Sequence, residues 1–95
     1  MQDLQETRKA LDAVDREIVR LFEMRMALAG DVAAYKLAHG LPVMDASREE
    51  QVLDSRCGML GDARLAPAVR ELFAKIMALS RAEQERLLKE AKDNA

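Results

Sequence analysis

The stretch LQETRKALDAVDREIVRLFEMRMALAGDVAAYK, residues 4–36, decides the fold. Leu4, Leu11, Ile18 and Val32 fall in one heptad register, and Val14, Leu21, Leu28 and Tyr35 in the register three residues on. That pattern is a long amphipathic helix whose apolar seam faces other helices. Position 25 should complete the first register with an aliphatic side chain, and it is Arg25. A buried guanidinium without a counter-charge is strongly destabilising. Either a carboxylate from a neighbouring helix meets it, with Glu49 and Asp45 as candidates, or an anionic ligand does.

Working outward, the helix is expected over residues 3–38, because His39-Gly40-Leu41-Pro42 supplies a left-handed cap residue and then a helix-incompatible proline. Gly30 weakens its interior by about 1 kcal/mol relative to alanine. Such a helix is ~54 Å long, whereas a compact chain of this size has a radius of gyration near ~12 Å. It overhangs any core the chain can build alone, so two long helices are expected to pack together in a homodimer.

Asp45 as N-cap, or Ser47 with Glu50 as a capping box, announces a second helix over 46–60. It would carry Val52, Leu53, Cys57 and Leu60 inward and stop before Gly61. Pro67 suits the first turn of a third helix. That helix has Val69, Leu72, Phe73, Ile76, Leu79, Leu87 and Leu88 on one side, and a polar tail from Lys89 to Ala95 that is expected to fray. With only two prolines, four glycines and no strand periodicity, the expected fold is all-α: three helices in one domain, residues 1–95, assembled as an intertwined helical homodimer.

Composition excludes several functions. Fifteen basic against 17 acidic residues leave no excess for a nucleic acid or a membrane surface. A single Cys57 forms no internal disulfide, and the start Met-Gln-Asp-Leu-Gln-Glu lacks the basic and apolar segments of a signal peptide, so a cytoplasmic protein is expected. One His and one Cys provide no metal set and no nucleophile pair, and no glycine-rich phosphate loop is present. No cofactor is expected.

The residues left for chemistry are polar ones on apolar faces. Arg25 and Lys36 lie almost three full turns apart, ~16 Å along one face, where two long side chains can hold a small dianion. Arg8 is ~25 Å from Arg25 along the same rod and cannot share that ligand within one chain. An antiparallel partner helix would bring its own Arg8 back over the site, in trans. Ser80 and Gln84 continue the Phe73, Ile76 and Met77 face at steps of three and four. Each has an ordinary reading too. Arg8 and Lys36 can snorkel, Asp45 can simply cap, Glu49 can favour a helix dipole and Arg48 can belong to a solvated charge run. Ser80 can bond a carbonyl four residues back, with Gln84 at the rim.

Taken as a set, Arg8, Arg25, Lys36, Asp45, Arg48, Glu49, Ser80 and Gln84 resemble the active-site pattern of the all-helical class of chorismate mutase. The stretches that carry the resemblance are Arg8-Lys-Ala-Leu-Asp-Ala-Val-Asp15, Leu21-Phe-Glu-Met-Arg25, Val32-Ala-Ala-Tyr-Lys36, Pro42-Val-Met-Asp45 with Arg48-Glu49, and Ser80 with Gln84. It covers nearly the whole chain, and no gap is needed from Arg8 to Glu49. It implies the Claisen rearrangement of chorismate to prephenate, on the route to phenylalanine and tyrosine, in an entwined homodimer with two equivalent sites. Arg25 and the partner chain's Arg8 would bind the two carboxylates, with Ser80 assisting. Lys36 and Gln84 would donate to the ether oxygen, Glu49 and the Asp45 backbone would hold the ring hydroxyl, and Arg48 would support its neighbours. The chemistry agrees, since a pericyclic shift needs no nucleophile, metal or proton relay, only a compact substrate pose and donors where charge develops. The rival readings are an isochorismate-pyruvate lyase of the same fold, set behind by the acidic pair Asp45 and Glu49, and a non-catalytic helical binding module, whose apolar stripe would hold no polar groups.

Overall fold

The computed structural model describes residues 3–94. Helix α1 spans Leu4–Ala38, α2 spans Ala46–Gly58 and α3 spans Ala66–Asp93, with a 3₁₀ turn at Ala63–Leu65 leading into α3. No strand occurs among the described residues, and no helix is long and apolar enough to cross a membrane.

Local chemistry sets each boundary. The Asp3 carboxylate accepts from the Gln5 and Glu6 backbone amides at 2.6 and 3.2 Å and starts α1. Gly40, at φ +64°, ends it in a left-handed turn in which the Leu41 amide donates to the Lys36 carbonyl at 2.8 Å. Asp45 caps α2 by accepting from the Arg48 amide at 3.0 Å. The expected Ser47–Glu50 capping box is therefore not the cap, because the Asp45 carboxylate has already closed the first turn and Ser47 lies within the helix. The second helix also stops earlier than expected, at Gly58. The amides of Met59 and Leu60 turn back to the carbonyls of Arg56 and Cys57 at 3.1 and 3.2 Å, tightening the chain before Gly61 is reached. Pro67 lies in the first turn of α3 as anticipated. The polar tail stays helical through Asp93 instead of fraying, helped by Arg86, which pairs with Glu83 and Glu90 one turn to either side. Met1, Gln2 and Ala95 lie outside the described residues.

Helix α3 is the hub, packing on the C-terminal half of α1 and antiparallel to α2. Arg70 clips its first turns to α2 by bonding Glu50 and Asp54 at 2.7 and 2.8 Å. Ala29 and Ala33, small and buried on α1, let the helices approach, and Val52 of α2, Met77 of α3 and Val43 of the connecting loop are buried with them. Leu72 and Leu79, expected on the inward side of α3, are instead 54 % and 39 % exposed, because the inner face turns through Met77, Ser80 and Gln84. The molecule is a rod of 59 × 27 × 14 Å with a radius of gyration of 17.0 Å, against about 12 Å for a compact chain of this length. Along the overhanging half of α1, Leu4, Leu11, Val14, Ile18 and Leu21 are each 49–61 % exposed.

Gly30 sits where α1 meets α3, with Leu87 Cδ1 3.4 Å from where a Cβ would stand, an ordinary van der Waals contact. Gly30→Ala is therefore expected to stabilise the fold by roughly 0.5–1 kcal/mol through helix propensity. A lower urea midpoint for the variant would show that the helices cannot give at that crossing.

Candidate active site

One face of α1 presents Arg25, Leu28, Ala29, Val32 and Lys36 to a cavity of about 280 Å³. These positions lie three, four, seven and eleven residues beyond Arg25, the spacing of a single helical stripe. The first turns of α2 close a second side with Asp45, Arg48, Glu49 and Val52, and Val43 of the loop covers one end. Helix α3 contributes Met77, Ser80, Arg81 and Gln84. Seven of the eight expected site residues thus converge. The eighth, Arg8, is exposed on the overhanging half of α1 and lines no part of its own chain's cavity.

Charge in this cavity is unbalanced. Arg25, Lys36, Arg48 and Arg81 face only Asp45 and Glu49, which leaves two positive charges uncompensated. The carboxylates considered for Arg25 are engaged elsewhere, Asp45 with the α2 cap and Glu49 in an ion pair with Arg81. Among the described residues no carboxylate pairs with Arg25. Burial, reinforced by the nearby Arg56 and Arg48, pushes its guanidinium below the ordinary arginine value. Lys36 donates one N–H to the Val43 carbonyl at 2.7 Å, which aims the ammonium and leaves two donors for a ligand.

Ser80 and Gln84 are both buried, at 8 % and 6 % exposure, so Gln84 is not at the rim. The Gln84 amide nitrogen donates to Ser80 Oγ at 3.3 Å, and Gln84 Oε1 is buried without a hydrogen-bond partner. Two polar side chains one turn apart, one with an unmet acceptor, line an apolar-walled cavity that carries surplus positive charge. Among the described residues no group of three or more His, Cys, Asp or Glu side chains is placed to hold a metal ion. The arrangement suits a small dianion held by several fixed donors.

The sequence profile of chorismate mutase type II matches residues 7–85. The chain belongs to this family. It is 38 % identical over 56 residues to the T-protein of Haemophilus influenzae, a match covering 59 % of this chain and 15 % of that protein. It is 39 % identical over 54 residues to the chorismate mutase of Methanocaldococcus jannaschii, covering 57 % of this chain and 54 % of that protein. The aligned stretch thus spans about half of one relative and a small part of the other. The family assignment agrees with the all-helical fold.

Arg81 lines the cavity too, though it is not among the residues expected there. It follows Ser80 and precedes Gln84 by three residues, so a cation flanking a polar pair on an otherwise apolar face was the available signal. Its carboxylate partner lies 32 residues away on another helix, a pairing that spacing alone does not reveal.

Arg25 is held half-buried beside other cations, so the ligand-free site works against stability. Arg25→Met is expected to raise the unfolding free energy of the ligand-free protein by roughly 0.5–1 kcal/mol, discounted for solvent screening. A fall in the urea midpoint would mean that the fold itself satisfies Arg25.

Proposed function

We propose that the chain is a cytoplasmic homodimer, with residues 1–95 forming one mutase domain, that converts chorismate to prephenate for phenylalanine and tyrosine biosynthesis. The observation that carries the reading is Arg25, a half-buried guanidinium with no carboxylate partner among the described residues. It shares one helix face with Lys36 in a cavity with two surplus positive charges. A dicarboxylate neutralises that surplus, and arginine meets a carboxylate with two parallel N–H donors.

The reaction is a rearrangement within one molecule. The ether C–O bond breaks while a C–C bond forms between the side-chain methylene and the ring, and no atom enters or leaves. Catalysis therefore reduces to holding the substrate folded and stabilising negative charge on the departing oxygen. Lys36, already aimed by the Val43 carbonyl, supplies one donor to that oxygen. Gln84 supplies the other once its amide turns over. The Ser80 hydroxyl then donates to Oε1, the buried acceptor without a partner, and the amide N–H groups face the substrate. Arg25 takes one carboxylate, and Ser80, whose one hydroxyl hydrogen is then committed to Gln84 Oε1, assists by holding that amide in place. Glu49 and the backbone at Asp45 hold the ring hydroxyl, and Arg48 supports them. An acceleration of about 10⁶ needs ~8 kcal/mol and a single good donor contributes about 3, so these groups act together. The reaction calls for no cofactor.

Arg8 enters from a second subunit. The exposed seam Leu4, Leu11, Val14, Ile18 and Leu21 is the face a second α1 covers, and an antiparallel partner places its Arg8 over the Arg25 end of the cavity.

Incubating the protein with chorismate, and separately with isochorismate, tests the function: loss of chorismate absorbance with prephenate as product is expected. Release of pyruvate from isochorismate, or no turnover, would overturn it. Lys36→Ala is expected to lower kcat by roughly 10²–10³-fold with helicity unchanged; retained turnover would remove Lys36 from the ether oxygen. Mixing Arg8→Ala with Arg25→Ala protein is expected to restore about a quarter of wild-type activity, since half the dimers are mixed and each has one intact site. No recovery despite subunit exchange would exclude action across the interface.

A further inference from the structure

Two arginines tie α3 to α2, and they do so in different surroundings. Arg70, with Glu50 and Asp54, lies on the outside, where the three side chains are 40 %, 64 % and 66 % exposed. Arg81 and Glu49 are 31 % and 21 % exposed, and both line the cavity. The outer clip already links the two helices away from the cavity. The inner one instead occupies the carboxylate assigned above to the substrate's ring hydroxyl.

We propose that Arg81 is a positioning residue that holds the Glu49 carboxylate at the α2–α3 edge of the cavity, aimed at the ring hydroxyl and kept off the cations that must bind substrate.

Glu49 carries three rotatable bonds and shares its cavity with Arg25 and Lys36, neither of which has a carboxylate partner among the described residues. Left free, it would turn toward one of them and cancel part of the charge that recognises the dianion. The Arg81 guanidinium donates to Glu49 Oε1, which fixes one carboxylate oxygen and leaves the other to accept from a ligand hydroxyl. Arg81 can do this because α3 turns it toward α2, while Ser80 and Gln84 on the same two turns face the cavity interior. Its effect on turnover therefore passes through Glu49.

This role rests on the mutase reading, and one set of variants separates the two. Arg81→Met is expected to lower kcat/KM for chorismate about 30-fold, and Arg81→Lys, which keeps the charge, to recover to within about 5-fold of wild type. In a Glu49→Gln background the same Arg81→Met change is expected to cost less than about 2-fold, because the amide no longer competes for cations. Arg70→Met, the outer control, is expected to lower the melting temperature and leave kcat/KM within about 2-fold. In the ligand-free protein, the Glu49 Hγ protons are expected to show the couplings of one rotamer by NMR in wild type and averaged couplings in Arg81→Met. Equal losses from Arg81→Met with and without the Glu49 change, or unchanged Glu49 couplings, would overturn the proposal. If wild type fails to convert chorismate, the mutase reading falls, and the NMR comparison still decides whether Arg81 holds Glu49.

Discussion

Everything in this structure turns on a guanidinium placed where a heptad asks for an aliphatic side chain. Arg25 sits in the seam of α1, half-buried, with burial and the neighbouring Arg56 and Arg48 working against its charge. At that level the helices do not close into a dry core. What forms instead is a cavity of about 280 Å³ walled by Leu28, Ala29, Val32, Val43, Val52 and Met77 and studded with donors. The same side chain that is costly to bury lines the cavity, the exchange of stability for function expected of the proposed site.

Pre-arrangement extends to the residues around Arg25. Lys36 is tethered to the Val43 carbonyl, Glu49 to Arg81, and Gln84 to Ser80. Each tether uses one hydrogen-bonding position of a multivalent group and leaves others for a ligand. In the proposed rearrangement the protein forms no covalent bond with the substrate, so fixing orientations and stabilising charge on the departing oxygen are the means of catalysis open to it. The buried acceptor on Gln84 marks the one place where the ligand-free arrangement differs from the one proposed for turnover.

The overhanging half of α1 poses the complementary question of what the fold lacks. Its seam carries five large apolar side chains, each about half exposed or more, on a rod whose buried residues include two alanines. Small buried side chains contribute little hydrophobic stabilisation. A second α1 along that seam would add the missing burial and carry Arg8 toward the cavity, so the proposed dimer links stability and catalysis through one surface.

The linear chain by itself determined the helices and most of the polar residues that line the cavity. Heptad spacing marked α1, the Gly40–Pro42 pair ended it, Asp45 and Pro67 opened α2 and α3, and seven of the polar residues singled out line one cavity. These features are legible because helical periodicity converts sequence spacing directly into a shared face. Tertiary structure alone decided the rest: that Leu72 and Leu79 turn outward, that Arg25 is left without a carboxylate, and that Glu49 belongs to Arg81. Rotation of one helix about its axis relative to another, and the choice among competing charged partners, depend on packing between segments distant in the chain, and no local repeat encodes them.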